Sequence, residues 1–468
     1  MIIKENDALK DYIAENVDVS WRYRDFVDSV KMYWNSSMGC IFCLSGLRGM
    51  GKTTGLLQSI IDIDDTIYIC AQRIESRNID SAKDILDILK NNKKKYIIID
   101  EYTWISDREA LDASLYTFVQ DGFRIAITGT ESMTLELLNY GKLSHRVFMC
   151  HCNYFSYDEH LRVNNLEHTK AVFDDYIQFG GLFEPHIIRN FKEMESYIRE
   201  SILESLCAYM SGSIDIEQAK AIIYTILYRS ICQLPAREEN STPLFKSTTI
   251  SIERFYEMLQ ISPTVSYSNN EFATAVNILK KIEFITEVEN IDEQNVDRSR
   301  IYIVNPSITC QLFYAIYDEH NVENFAGYIY EAICASRIRH TIRPDDKLFF
   351  LKGNSHLSKE QEIDFVIVDK NREPNNSKYA YLIECKHKGS IGLRTGASIL
   401  SPEIQNYFPN AYDIGRYVLY TGAEDAFVYL DNTELIFISY ISQHLEEFYD
   451  FDSQVSALKN KGSVYPKT

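Results

Sequence analysis

Short apolar runs that stop abruptly at a glycine or a polar residue recur through the first third of the chain. In IFCLSGLRGMGKTTGLLQSII (41–61) such a run meets a glycine-rich turn and then resumes with helical spacing, so it reads as strand, loop and helix. IYICAQ (67–72), YIIID (96–100) and RIAITG (124–129) are further runs of this kind, separated by helix-length segments. Buried strands alternating with helices are the pattern of a parallel sheet. Residues 1–36 read as a helical lead-in, and residues 37–152 as the α/β core.

From 153 to 235 the pattern turns helical, with apolar spacing in YIRESILESLCAYM (197–210) and AIIYTILYRSI (221–231). Between 236 and 320, SIERFYEMLQ, NEFATAVNILKKIEFITEVENI and RSRIYIVNP read as helix, turn, helix and two strands, which fits a winged helix. Residues 321–468 begin with a helical stretch, GYIYEAICASRIRH (327–340). The strand-like runs KLFFLKG, EIDFVIV and YAYLIECKH follow it and predict a second α/β domain.

At 468 residues the chain exceeds what one core usually organises, and 45% apolar and 13% aromatic residues suffice for a large interior. The net charge of −19 repels polyanions, so any nucleic-acid contact needs a local basic surface. The charged start MIIKENDALKDYIAEN lacks a signal-peptide core, and no run approaches the roughly 18 apolar residues of a membrane span. Those features predict a cytoplasmic chain with no membrane contact. Ten cysteines include two close sets, Cys40-x-x-Cys43 and Cys150-His151-Cys152. Each could be half of a metal site, but both lie in apolar runs without a zinc-spaced second pair, so they read as structural.

Gly46-Leu47-Arg48-Gly49-Met50-Gly51-Lys52-Thr53 matches G-x-x-x-x-G-K-[ST] in full and sits between a strand-like run and a helix. There, backbone N–H groups and the helix end cradle phosphates, Lys52 holds the β- and γ-phosphates of ATP, and Thr53 places its hydroxyl on Mg²⁺. Thr54 extends this nucleotide-binding set. Asp100 and Glu101 end the YIIID run and emerge at the sheet's carboxyl edge. Asp100 suits Mg²⁺; Glu101 suits polarising the attacking water, or else caps a helix. Thr130, with Thr128 as its neighbour, could reach the γ-phosphate from another strand end. Arg146 could act as an arginine finger in trans or stand as an ordinary exposed arginine.

In sequence order, GLRGMGKTTGLLQ, IIIDEYTWISDREALDASL, AITGTES, LSHRVFMCHCNYFSYDEHL and FGGLFEP resemble the prokaryotic, archaeal-type AAA ATPases that carry a C-terminal PD-(D/E)XK endonuclease-like domain. The resemblance implies a P-loop core, a helical lid, a winged helix and a nuclease-like fold. Ser144-His145-Arg146 and Gly180-Gly181-Leu182-Phe183 stand where that family usually has a Gly-Arg pair and Gly-Gly-Phe-Pro.

The C-terminal acids also form a pattern of their own. Asp364 in EIDFVIV and Glu384-Cys385-Lys386 at the end of YAYLIECK give D-x(n)-E-x-K on two neighbouring strand-like runs, with Glu384 and Lys386 on one strand face. Two facing carboxylates can share Mg²⁺ or Mn²⁺ while an ammonium stabilises a phosphate, an arrangement that cuts phosphodiesters. Glu331 would complete the site as the resembled family's helix acid. Lys388 and Arg394 offer local positive charge or a solvated face. Two functions fit: an ATPase that controls a nuclease acting on DNA, or an ATP-driven switch that binds a protein partner through an inert nuclease fold. A homo-oligomer fits either.

Overall fold

The computed structural model describes residues 2–17, 22–71, 82–105, 107–129, 135, 138, 143–183, 186–210, 213–232, 250–292, 299–317, 321–352, 362–371, 376–387, 398–400, 407–411, 413–421, 426–430, 433–439 and 464–465.

The apolar runs of the first third become strands β1 (Ile2–Glu5), β2 (Ile41–Ser45), β3 (Thr66–Cys70), β4 (Tyr96–Asp100), β5 (Arg124–Gly129) and β6 (Val147–His151). They lie in the order β1-β3-β4-β5-β2-β6, and every pair is parallel except β1 with β3. The lead-in therefore opens with a short antiparallel edge strand before its helices Asn6–Asn16 and Asp25–Asn35. Four residues with ordinary alternation carry too little pattern to announce a strand.

Alternation divides the core into two layers. Phe42, Leu44, Tyr68, Ile98 and Ala126 pack under the helices Asp25–Asn35 and Lys52–Ser59. Cys43, Ile69, Ile99 and Ile127 pack under Ala82–Asn91 and Arg108–Gln120 on the opposite face. This order puts β5 between the P-loop strand and the strand ending at Asp100, so all three release their chains at one edge.

Helices Tyr157–Asn164, Lys170–Phe179, Phe191–Tyr197, Glu204–Tyr209 and Ile216–Cys232 follow, with a π-helical turn over Ile198–Leu203. Helices Ile252–Met258 and Asn269–Lys281 precede β7 (Ile285–Asn290) and β8 (Ser299–Ile303); Ser268 and Glu271 form a reciprocal capping box on the second helix. After helices Pro306–Tyr317 and Ala326–Thr341 come β9 (Asp346–Lys352), β10 (Glu362–Asp369), β11 (Tyr379–Lys386), β12 (Asp413–Tyr420), β13 (Ala426–Leu430), β14 (Thr433–Ser439) and β15 (Val464–Tyr465). The β7–β8 hairpin is not a separate wing. It extends the C-terminal sheet, whose order is β15-β13-β14-β12-β11-β10-β9-β7-β8, through parallel pairing of Glu289–Asn290 with Phe349–Phe350. One sheet thus crosses the boundary expected between residues 320 and 321. Among the described residues no helix is long and apolar enough to cross a membrane.

Candidate nucleotide site and acidic site

The loop between β2 and the helix Lys52–Ser59 is built by backbone that only glycine tolerates. Gly49 and Gly51 take φ of 80° and 79°. A Cβ on Gly46 would lie 2.4 Å from the Cys152 carbonyl oxygen. Leu47 and Met50 are buried and anchor the loop, whereas Arg48 stays half exposed and pairs with Glu200 of the π-helical turn at 3.0 Å. Lys52 Nζ donates to the carbonyls of Gly46 (2.8 Å) and Leu47 (2.9 Å). Anionic phosphate oxygens are stronger acceptors than these carbonyls. Thr54 lies in the first turn of the helix, half-buried.

Thr53 and Asp100 meet at the sheet edge. The Thr53 hydroxyl donates to Asp100 Oδ2 at 2.7 Å, and the Tyr68 hydroxyl donates to the same oxygen at 2.7 Å. Burial, then the neighbouring Glu101, raise the Asp100 carboxyl above its ordinary range. A hydroxyl and a buried carboxylate in contact at the mouth of a phosphate loop are the donor set of a nucleotide-bound Mg²⁺, and they fit it. Glu101 sits in left-handed backbone (φ 54°), with its carboxylate accepting from the Trp104 indole at 3.1 Å. Although it precedes the short turn Tyr102–Trp104, its side chain does not cap it.

Thr130 lies outside the described residues. Thr128 is fully buried with its hydroxyl unpaired, and it shares the sheet face of Ala126, on which Ile98 and Asp100 also lie. Arg146 precedes β6, whose His151 pairs with Ser45 beside the loop, so Arg146 stands about 16 Å away at the opposite sheet edge. There it is exposed and stacks on Tyr116, 3.6 Å from the ring centroid.

The second site forms on the C-terminal sheet. Antiparallel register pairs Phe365 with Ile383, so Asp364 and Glu384 follow as neighbours one step further out. Towards β9 the register slips between Ile363 and Val366, a bulge at Asp364 that re-aims the strand. Asp364, Glu384 and Glu331 are all nearly buried, at 5%, 6% and 9% exposure. Asp364 Oδ2 accepts the Cys385 N–H at 2.7 Å, and Lys386 forms an ion pair with Glu384. Glu331 projects from helix Ala326–Thr341, which packs on β7, β8 and β11. Burial and then Asp364 push its carboxyl up to about 7. Among the described residues no group of three His, Cys, Asp or Glu side chains converges closely enough to hold a metal; Asp364 and Glu384 stand side by side on adjacent strands. Lys388 and Arg394 lie outside the described residues.

Residues 39–161 match the family model of the AAA domain. The chain carries an AAA-family P-loop ATPase domain. An AAA ATPase domain binds nucleotide, typically with Mg²⁺, and the parallel-rich sheet with its complete P-loop is the fold expected of it. No curated protein matches the chain. Among solved structures, Cdc6p from Pyrobaculum aerophilum is 11% identical, with 67% of this chain and 98% of that one covered, at a TM-score of 0.25. Aeropyrum pernix Orc1 in complex with DNA is 10% identical over 67% of this chain and 97% of that one, at 0.26. Saccharomyces cerevisiae Hsp104 in its extended casein complex is 12% identical over 56% of this chain at 0.26, and the chain spans 46% of that protein's length.

Sequence reasoning missed what holds the ATPase domain's loop from behind. Arg24 is 6% exposed, yet donates to Met50 O (2.5 Å) and Asn153 O (2.9 Å) and grips Glu159 through Nε (2.9 Å) and Nη2 (2.6 Å). Its guanidinium lies 4.0 Å from the Phe155 ring centroid. Phe183, in the segment that departs from the resembled family's pattern, stacks on Phe155 and donates its N–H to the Gly49 carbonyl at 2.9 Å. None of the ten cysteines forms a disulfide.

Proposed function

We propose that this chain is a Mg²⁺-dependent ATPase whose nucleotide cycle controls a C-terminal, metal-dependent nuclease-like site acting on nucleic acid, with DNA as the substrate class. The observation that carries the reading is the helix Ala326–Thr341, which runs from the acidic site to the ATPase domain. It presents Glu331 to the acidic pair, while Arg337 bonds Asp158 at 3.1 Å and His340 Nε2 lies 3.1 Å from Asn153 Nδ2. Asp158 and Asn153 belong to the ATPase domain. Glu331 and His340 are nine residues apart, about 13 Å along a helix that transmits displacement as a rigid rod.

In the ATPase domain Lys52 and the loop's N–H groups hold the phosphates, Thr53 and Asp100 hold Mg²⁺, and Glu101 orients the attacking water. Thr128 supplies a buried hydroxyl on the same face, with Thr130 beyond it in sequence. Arg146, at the far edge, serves a neighbouring copy's nucleotide if copies assemble. In the C-terminal site Asp364 and Glu384 would hold a divalent ion, which would supply an activated water and charge stabilisation. Lys386 stabilises the phosphate, and Glu331 positions the pair from the helix. The helix–helix–hairpin over 252–303, whose hairpin continues into the C-terminal sheet, is read as a winged-helix segment that contacts either the nucleic acid or a protein partner.

One observation favours the second reading, an ATP-driven switch for a protein partner with an inert nuclease fold. Lys386 is already neutralised by Glu384. Cleavage of supercoiled, linear and single-stranded DNA and of RNA in Mn²⁺, with and without ATP, separates the two. We expect DNA cleavage by the wild type that depends on ATP and is lost in Lys386→Ala. ATP hydrolysis without cleavage of any substrate would leave the protein-partner switch standing.

A further inference from the structure

The residues that fill the phosphate loop between its glycines are not treated alike. Leu47 and Met50 are buried and anchor the loop, whereas Arg48 turns outward to the helical segment that follows the ATPase domain. Its guanidinium bonds Glu200 at 3.0 Å, through side chains that are 51% and 43% exposed. Glu200 is aimed by its own helix, since its other carboxylate oxygen accepts from the Ser196 hydroxyl at 2.9 Å. It lies on the π-helical turn Ile198–Leu203, and such local departures from the α-helix recur at functional sites.

The same segment touches the loop elsewhere without using the Arg48 side chain. The Tyr197 hydroxyl donates to the Arg48 carbonyl at 3.3 Å, and the Phe183 N–H donates to the Gly49 carbonyl at 2.9 Å. His186 packs so closely on Gly49 that a Cβ there would lie 2.9 Å from its own Cβ. Burial, then the Arg48 guanidinium, hold the His186 imidazole below its ordinary range, so at neutral pH the segment presents an uncharged ring here. These contacts run to the loop's backbone and fix where the segment sits; the Arg48–Glu200 pair is the exchangeable bond. An exposed ion pair stabilises little. Arginine, by contrast, grips phosphate oxygens through parallel charge-assisted bonds, and Arg48 belongs to the loop that cradles the phosphates.

We propose that Glu200 and the phosphates of a bound nucleotide compete for the Arg48 guanidinium, so that nucleotide binding detaches the π-helical turn from the loop. Arg48 is then a nucleotide-binding residue, and Glu200 a positioning residue that opposes it. The inference rests on nucleotide binding at Gly46–Thr53 and adds the bond through which that binding reaches the helices beyond the ATPase domain.

The test is a double-mutant cycle on nucleotide affinity, read by titrating the full-length chain with a fluorescent ribose-labelled ATP in Mg²⁺. Glu200→Gln is expected to tighten binding about two- to fivefold, because an exposed pair no longer competes for the arginine. Arg48→Met is expected to weaken it about tenfold or more, because a charged donor to phosphate is lost. In the Arg48→Met background, Glu200→Gln should then change nothing. A pair with a purely structural role gives weaker or unchanged binding in Glu200→Gln, and that result overturns the proposal. Tightening that persists in the Arg48→Met background overturns it as well, since Glu200 then acts on the phosphates by its own charge. No binding by the wild type removes the nucleotide reading of the loop, and the proposal with it. Both side chains are half exposed, so the variants should fold, and thermal melting checks that they do.

Discussion

The two sites of this molecule handle buried carboxylates in opposite ways. At the nucleotide site, Asp100 is bonded only through the neutral hydroxyls of Thr53 and Tyr68, with Lys52 as a nearby cation that does not pair with it directly. At the C-terminal site, Glu331 and Glu384 already carry their own cations, Arg300 and Lys386. A site compensated by hydroxyls is poised to accept a metal with its nucleotide. A site compensated by fixed cations has part of its charge requirement met before any ion arrives, so its chemistry depends on how those cations are positioned.

The largest effects should come from removing the cation of the nucleotide site. Lys52→Ala is expected to lower ATP turnover by at least about a hundredfold, since it removes a pre-positioned cation from the transferring phosphates. Glu101→Gln should leave nucleotide binding near wild type while hydrolysis falls by about 10²–10⁴-fold. Phosphate release together with fluorescent-nucleotide titration measures both, and turnover retained in Lys52→Ala would break the comparison at its first term.

Next in size is Arg24→Met. It strands Glu159 as an uncompensated buried charge beneath the loop, and a loss of about 3–5 kcal/mol of stability is expected. Urea unfolding monitored by intrinsic fluorescence gives the value. A loss below 1 kcal/mol would mean that the loop does not depend on its rear support.

The smallest effect should be Arg337→Ala. It removes one partly exposed ion pair, with a stability change of about 0–1 kcal/mol and little change in ATP hydrolysis. Its expected signature is weaker dependence of C-terminal cleavage on ATP, read from cleavage rates at saturating and zero nucleotide. Unchanged ATP dependence would count against the helix as the link.

How far the residues alone reached follows from how local each signal is. The P-loop and the Asp100–Glu101 strand end were legible because eight consecutive residues, or one strand end, hold the whole pattern. Asp364, Glu384 and Lys386 were legible because period-two alternation places them. Arg24 was not, since its partner Glu159 is 135 positions away and a single arginine in a helical lead-in looks like any other. Arg300 and Tyr302 were invisible as site residues for the same reason: their strand reads as part of a hairpin, and only the sheet joining that hairpin to β9 brings them to Glu331. The expected break at 320–321 misled in the same way, because pairing between β7 and β9 has no trace in local pattern.

One buried cluster runs without interruption from Leu9 beside β3 to Ile436 in β14. Packing in that cluster couples the two halves, although two further clusters, around Ile69 and around Val366, form cores of their own. Nucleotide at Gly46–Thr53 therefore protects far more than its own loop. At a hundred times its dissociation constant it adds about 2.7 kcal/mol to everything that unfolds together. The acidic site shares in that stabilisation to the extent that it unfolds together with the ATPase domain, although no phosphate touches it.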